Sequence, residues 1–367
     1  MTTTEDSLES AIGALAERVV MAAVGNLELL TIELGHRLGL YGALAEGPAT
    51  PPELAARAGI DARYAREWLE QQATSGFVSV DAEPVAGGDP DQRVFSLPVA
   101  TQACVLDPDS LAYVVPMATL AAAAPHAFDR VVAAYRTGGG VDFGGYGEGV
   151  RIFQAAANRP QFVNLLASTW IPAMPDVAAL LERGAHVADL GCGCGWSSVI
   201  LAEAYPSSTV DGFDLDEPSI EDARRLAKEH GVADRVRFEA RNAADVAKAG
   251  GQYDLVCIFE ALHDMARPVE VLAAAKQLLA PGGSVFIVDE RAEPFQPDNP
   301  DPLQRLFYAA SVVHCLPVGR SESHSAATGT LMQVATLESY AAEAGFRDVE
   351  VLPIDHDMFR FYRLRTD

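Results

Sequence analysis

The run Val187-Ala188-Asp189-Leu190-Gly191-Cys192-Gly193-Cys194-Gly195 is an apolar stretch closed by an acid and by glycines at every second position. Main chain so free of side chains can press against a ligand. Such a turn also holds dinucleotides, so by itself it selects no ligand. The charge ahead of it does. Asp189 would repel a pyrophosphate and attract a ligand bearing ammonium and sulfonium groups. The spacing is G-x-G-x-G, with Trp196 where the dinucleotide fingerprint has its last glycine. Further on, Gly212-Phe213-Asp214-Leu215-Asp216 ends a second apolar run, where an ionised Asp214 can accept both hydroxyls of a ribose in charge-assisted bonds. The third candidate is His263 in Leu262-His263-Asp264. A neutral imidazole titrates near neutrality and can take a hydroxyl proton, which makes His263 the candidate catalytic base. The plain alternative is a polar residue at a strand end, and spacing leaves both open.

These residues need a scaffold. Short apolar runs at 187–190, 209–213, 236–239, 255–259 and 285–288 alternate with helical stretches, the rhythm of a parallel sheet wrapped by helices. The fold class expected is therefore α/β, with each candidate at the carboxyl end of a strand.

At these positions the chain resembles the class I S-adenosylmethionine-dependent methyltransferases, closely over residues 180–290. Asn242-Ala243 follows the third run where that family reads the adenine amino group, usually with Asp. Phe259-Glu260-Ala261 ends the fourth run beside the cofactor, and Leu279-Ala280-Pro281-Gly282-Gly283 is the family's turn into the fifth strand. The resemblance implies a Rossmann-like, mostly parallel seven-stranded sheet, S-adenosyl-L-methionine as cofactor and S-adenosyl-L-homocysteine as product. It implies a cofactor site of Asp189, Gly191, Gly193, Gly195, Asp214, Leu215, Asn242, Ala243, Phe259 and Glu260, to which we add Tyr146. His263 stands where plant-type O-methyltransferases carry a His-Asp pair, with Met265 in place of their Trp. Glu290 would orient such a base or be a solvated strand end; Asp264 would assist it or cap the next helix. Phe162, Trp170 and Met174, at helical spacing, with Tyr308 and His314, are the candidate substrate wall. The alternative for the helical stripe is ordinary core.

The N-terminal part reads differently. Leu15, Val19, Ala22, Leu27, Leu30, Leu34, Leu38 and Leu44 recur at three and four spacing, giving amphipathic helices with one broad apolar face. Thr50 caps a helix that opens on Pro51-Pro52 and ends near Gly59, and Asp61 caps a second that ends near Gly76. Strand-like 77–80 and 94–97, joined by Gly87-Gly88-Asp89-Pro90, complete a winged helix. Its DNA-reading candidate, 63–72, sets Arg63 and Arg66 against Glu67 and Glu70. Residues 1–100 carry 6 Lys plus Arg against 15 Asp plus Glu, net −9, which disfavours DNA. Winged helix followed by methyltransferase resembles the small-molecule O-methyltransferases and their actinobacterial relatives, in which the winged module serves dimerisation and substrate enclosure.

The whole chain, 367 residues at formal charge −24, is long enough for two domains and too acidic for nucleic acid or anionic membrane surfaces. We expect a winged-helix and dimerisation domain at 1–105, a helical connector at 106–172 bent at its glycine clusters, and a methyltransferase domain at 173–367 with a lid insertion at 293–335. Cys104, Cys192, Cys194, Cys257 and Cys315 lack the spacing of a zinc site or a disulfide framework, so no metal and a reducing, cytoplasmic setting are expected. No run is long and apolar enough for a membrane span. The function expected is methyl transfer from S-adenosylmethionine to a small-molecule hydroxyl by a homodimer. The alternatives are a winged-helix regulator that binds the same cofactor without turnover, and a nicotinamide-dependent oxidoreductase.

Overall fold

A computed structural model describes residues 2–82, 88–298 and 301–366. The expected hairpin turn falls partly on residues 83–87, outside the described residues. The chain forms two compact units, 1–123 and 124–367. The division between them falls inside the expected connector, 106–172.

The first unit starts with α1 (Thr2–Arg37), followed by α2 (Leu40–Ala45), α3 (Pro51–Ala58), α4 (Ala62–Thr74), the hairpin strands β1 (Ser79–Ala82) and β2 (Val94–Ser96), α5 (Val99–Val105) and α6 (Val115–Ala123). The expected caps are present: the Glu53 carboxylate accepts from the Thr50 amide at 2.7 Å, and the Asp61 carboxylate accepts from the Arg63 amide at 2.9 Å. Gly59 and Gly76 end the two helices at φ 68° and 79°. Leu40, Leu44, Leu54, Leu69 and Phe95 form the core of this unit. The arginines of the would-be reading surface are spent on ion pairs, Arg63 with Glu67, Arg66 with Asp91 and Arg93 with Glu70. Most of α1 buries little: Leu8, Ile12, Leu15 and Val19 are exposed.

The second unit holds α7 (Phe128–Thr137), α8 (Glu148–Gln161), a π-helix (Phe162–Trp170), α9 (Pro175–Arg183), β3 (His186–Leu190), α10 (Trp196–Ala204), β4 (Thr209–Asp214), α11 (Glu217–Glu229), β5 (Val236–Ala240), β6 (Tyr253–Phe259), α12 (Pro268–Leu278) and β7 (Leu279–Glu290). After these come α13 (Pro302–Ala310), a second π-helix (Ser311–Cys315), α14 (Leu316–Gly319), α15 (Val334–Glu343), β8 (Val349–Val351) and β9 (Phe359–Arg365). The strands form one seven-stranded sheet in the order β5-β4-β3-β6-β7-β9-β8, with β9 antiparallel to both neighbours and the five before it parallel. Its two faces bury separate apolar layers, one under α9, α10 and the first π-helix, the other under α12 and α15. The strand order reverses between β3 and β6, where a crevice opens at the carboxyl ends. Of the glycines at 138–140, Gly140 is there for close approach: a Cβ on it would lie 2.2 Å from the Arg320 backbone.

Candidate active site

The turn after β3 has the left-handed backbone that its glycines allow, φ 79°, 50° and 83° at Gly191, Gly193 and Gly195. It is wedged in place. A Cβ on Gly191 would lie 2.7 Å from that of Ala261, and one on Gly195 2.8 Å from both Ala223 and the Phe238 ring. The amides of Gly191 and Cys192 donate to the Phe213 carbonyl at the end of β4, at 2.7 and 3.1 Å, which ties the two strand ends together. The Asp214 carboxylate accepts from the Gly193 amide and from the Asp216 amide, both at 2.9 Å. Burial pushes its pKa up while these amides pull it back.

These groups face a continuous cavity of about 250 Å³. Of the expected cofactor residues, Gly191, Gly193, Asp214, Leu215, Asn242 and Ala243 line its one end, over β3, β4 and β5, and Phe259 and Glu260 line the side over β6. Asn242 spends its side-chain oxygen on the Ala244 amide at 3.0 Å and its nitrogen on Glu322 at 3.3 Å.

Three expectations are corrected here. Asp189 is fully buried behind the turn, where its carboxylate accepts from Ser197 and Ser198, each at 2.6 Å; it anchors α10 and does not line the cavity. Burial raises its pKa to about 6, against the pull of the two serines. Gly195 lies behind the wall as the αL residue that starts α10. Tyr146 is 2% exposed, donates to the Val313 carbonyl at 2.8 Å, packs edge-on against His314 and is not in the wall.

His263, left by the sequence as either a base or a polar strand-end residue, stands among three carboxylates. It is 2% exposed and absent from the cavity wall. Its Nδ1 lies 2.7 Å from Asp289 and 3.0 Å from Glu290, and its Nε2 lies 3.2 Å from Asp264. Burial alone would favour the neutral ring, but the carboxylates of Asp289, Glu290 and Asp264 outweigh it and raise its pKa well above the ordinary value. Glu290, expected as a strand-end residue, faces this ring, and burial raises it to about 7 against the pull of His263. Asp264 faces His263 and caps no helix; burial would raise it, but the imidazolium keeps it below the ordinary value.

The cysteine spacing argued against a metal, yet the described residues include two sets of ligand-type atoms within 4.8 Å, His263 with Asp264 and Cys315, and His263 with Asp289 and Glu290. Both share one imidazole. The 2.7 Å from Nδ1 to Asp289 is direct hydrogen-bond contact, so the cluster reads as an ion-pair hub.

Of the candidate substrate wall, Phe162 lines the cavity and meets Phe259 edge-on at 5.4 Å. Trp170 and Met174, 0% and 1% exposed, are core. Tyr308 meets Phe295 edge-on and His314 meets Tyr146 edge-on, both outside the wall. Sequence reasoning missed the roof. Arg151, Gln154, Ala155 and Asn158 line the cavity from α8, one helical stripe that continues to Phe162. Arg151 lies 3.7 and 3.5 Å from Asp216 and Asp222. From the expected insertion, Val318, Ser321 and Glu322 also reach the cavity.

Residues 181–317 match the family described as methyltransferase domain, and residues 26–105 match the Rv2258c-like winged HTH domain. The ubiquinone biosynthesis O-methyltransferase of Thiobacillus denitrificans is 31% identical over 211 residues, 56% of this chain and 81% of that protein. An uncharacterized protein of Synechococcus is 35% identical over 102 residues, 28% of this chain and 24% of that protein. Among solved structures, the mitomycin 7-O-methyltransferase MmcR superposes with a TM-score of 0.67 at 21% identity, over 97% of this chain and 99% of that one. Human N-acetylserotonin methyltransferase, solved with S-adenosylmethionine, gives 0.64 at 18% identity over 95% of this chain and 97% of that one.

Proposed function

Because the chain belongs to the class I S-adenosylmethionine-dependent methyltransferases, we propose that it methylates a hydroxyl oxygen of a small organic acceptor and works as a homodimer. S-adenosylmethionine is its methyl donor. The observation that carries the reading is the joint presence, in one cavity wall, of the glycine turn and of Asp214 with carboxylate lone pairs left over after two backbone bonds. The fit is physical: a side chain at Gly191 or Gly195 would collide with its neighbours, and the bare main chain at Gly193 leaves room for a ligand.

When bound, S-adenosylmethionine supplies a methyl group already activated by its sulfonium. Asp214 holds the ribose hydroxyls, and Leu215, Asn242 and Ala243 hold the adenine over the ends of β4 and β5. Phe162 and Phe259 keep water from the far side of the cavity. Alignment of acceptor and donor in such a place contributes on the order of 7–11 kcal/mol in intramolecular models. The hydroxyl acceptor is favoured by the O-methyltransferases of ubiquinone biosynthesis among the relatives. The dimer is favoured by α1, whose Ile12, Leu15 and Val19 stay largely exposed in their own chain. No helix among the described residues is long and apolar enough to cross a membrane.

The test is incubation with methyl-labelled donor and a panel of catechols and hydroxyquinones. Label is expected on a product ether, and transfer only to nitrogen or carbon acceptors would overturn the oxygen reading. Sedimentation of a Leu15→Asp/Val19→Asp variant is expected to give monomer where the parent gives dimer; a parent that sediments as monomer would end the dimer proposal.

A further inference from the structure

The side chain that ends β5 beside the adenine is turned the wrong way to read its amino group. Asn242 points its oxygen at the Ala244 amide, 3.0 Å away, and its nitrogen at Glu322, 3.3 Å away, so hydrogen bonds at both ends fix the amide. The atom left beside the cavity is a donor, and the amino group of adenine is a donor too. We propose that Glu322, in the loop after α14, supplies the missing acceptor and selects adenine over a 6-oxopurine in the methyl donor. Glu322 has this task whichever acceptor atom is methylated and whether or not the chain dimerises; only the S-adenosylmethionine reading of the cavity underlies it.

Glu322 lines the same cavity as Leu215, Asn242 and Ala243. Its carboxylate joins two donors of that wall: Oε1 accepts from Asn242, and Oε2 lies 3.3 Å from Nε of Arg267. Each oxygen keeps lone-pair capacity for a further donor. The six-membered ring of adenine presents an amino donor next to a ring-nitrogen acceptor. Glu322 Oε1 next to Asn242 Nδ2 presents the converse, an acceptor beside a donor. The other side chains at this end are poor acceptors or are committed: Arg241 and Arg267 are donors, Leu215 and Ala243 are apolar, and Asp214 holds the ribose. Ser321 is a neutral hydroxyl, a weaker acceptor than a carboxylate.

The loop holds Glu322 in position before any ligand arrives. The Ser321 amide donates to the Val318 carbonyl at 2.9 Å, the Ser325 hydroxyl to the Gly319 carbonyl at 2.5 Å, and the Ala326 amide to the Ala266 carbonyl, next to Arg267, at 2.8 Å. A contact group set in advance loses little freedom on binding. The same arrangement rejects a 6-oxo base. Its carbonyl would meet the carboxylate lone pair to lone pair, and its ring N–H would meet the Asn242 nitrogen donor to donor.

The experiment titrates S-adenosylhomocysteine and S-inosylhomocysteine, in which the amino group is replaced by oxygen, into the full-length parent and its variants by calorimetry. The parent is expected to prefer S-adenosylhomocysteine on the order of 10²-fold. Glu322→Ala and Glu322→Gln are expected to bind it about 10-fold more weakly and the inosine analogue no more weakly, so that the preference drops by about 10-fold. Parental thermal melts would show that both variants fold. Adding Asn242→Asp to Glu322→Ala puts a carboxylate oxygen in place of the amide nitrogen and is expected to recover the preference. An unchanged preference in both single variants overturns the proposal. Equal weakening of the two ligands also overturns it and makes Glu322 a clasp for its loop. A double variant that recovers nothing overturns it as well, since Asn242 and Glu322 would then not share one edge of the base. A parent that binds both ligands equally sinks the proposal and leaves the donor reading standing; a parent that binds neither ends the donor reading and the proposal with it.

Discussion

The two sides of the cavity place their carboxylates in opposite environments. Over β4, Asp214 has backbone amides on both oxygens and an open face toward the cavity. Over β6 and β7, Asp264, Asp289 and Glu290 surround a single imidazole. Backbone amides hold a charge in place without competing for protons; carboxyls crowded around one cation exchange them. The first side leaves a carboxylate open to a ligand, and the second ties its carboxylates to a buried ring.

Asp214→Ala should have the largest effect on donor affinity. It removes charge-assisted bonds of about 1.5–3 kcal/mol each, so S-adenosylhomocysteine affinity by calorimetry should fall at least ~10²-fold with the fold intact. Asp189→Asn, which changes a carboxylate of the same strand region that faces two serines, should cost less than about 10-fold. Equal losses would erase the distinction between wall and anchor.

His263→Ala tests the other side. It leaves buried carboxylates without their cation and should destabilise the protein by about 3–5 kcal/mol in denaturant melts. The folded pKa of His263 is raised, so its contribution is whole below about pH 6.5, the unfolded value, and shrinks as pH rises through the folded one. A penalty that instead grew with pH would show that the ring is not held as a cation.

The pH dependence of stability sharpens the contrast. Asp189 is raised from 3.8 to about 6 in the folded protein, so the folded state binds more protons and stability falls as pH rises through that window. Asp189→Asn should flatten this fall, of order 2–3 kcal/mol. The smallest effect concerns the turn itself. Gly195→Ala adds overlap with Ala223 and Phe238 to left-handed strain, whereas Gly193→Ala meets no atom within 4 Å and carries the strain alone, about 1–2 kcal/mol. Thermal melts should rank Gly195→Ala as the less stable; the reverse order would mean that the wedge is softer than drawn.

The binding side was legible in the sequence because glycine positions and a strand-end acid are dictated by backbone geometry close along the chain. The five parallel strands were legible for the same reason, as apolar runs of the right length. The side over β6 and β7 was legible only in part: Glu260, His263, Asp264 and Glu290 stood out in the sequence, but not how they meet. It joins α8, the end of β6, the end of β7 and the second π-helix, and no periodicity links Asn158, Glu260 and Glu290. The roof stripe has perfect helical spacing, but it mixes Arg151, Gln154, Ala155 and Asn158 with Phe162, so hydrophobic patterning passed over it. Past Pro160, which has no amide to donate, the chain winds as a π-helix, and this carried Trp170 and Met174 into the core. Asp189 misled because charge was read from the sequence without the two serines of α10 that absorb it.

The most direct test of the whole account is calorimetric titration of the purified chain with S-adenosylhomocysteine and, separately, with NADH. The glycine turn and Asp214 predict one S-adenosylhomocysteine bound per chain and no measurable heat from NADH. Saturable binding of NADH with none of S-adenosylhomocysteine would contradict it.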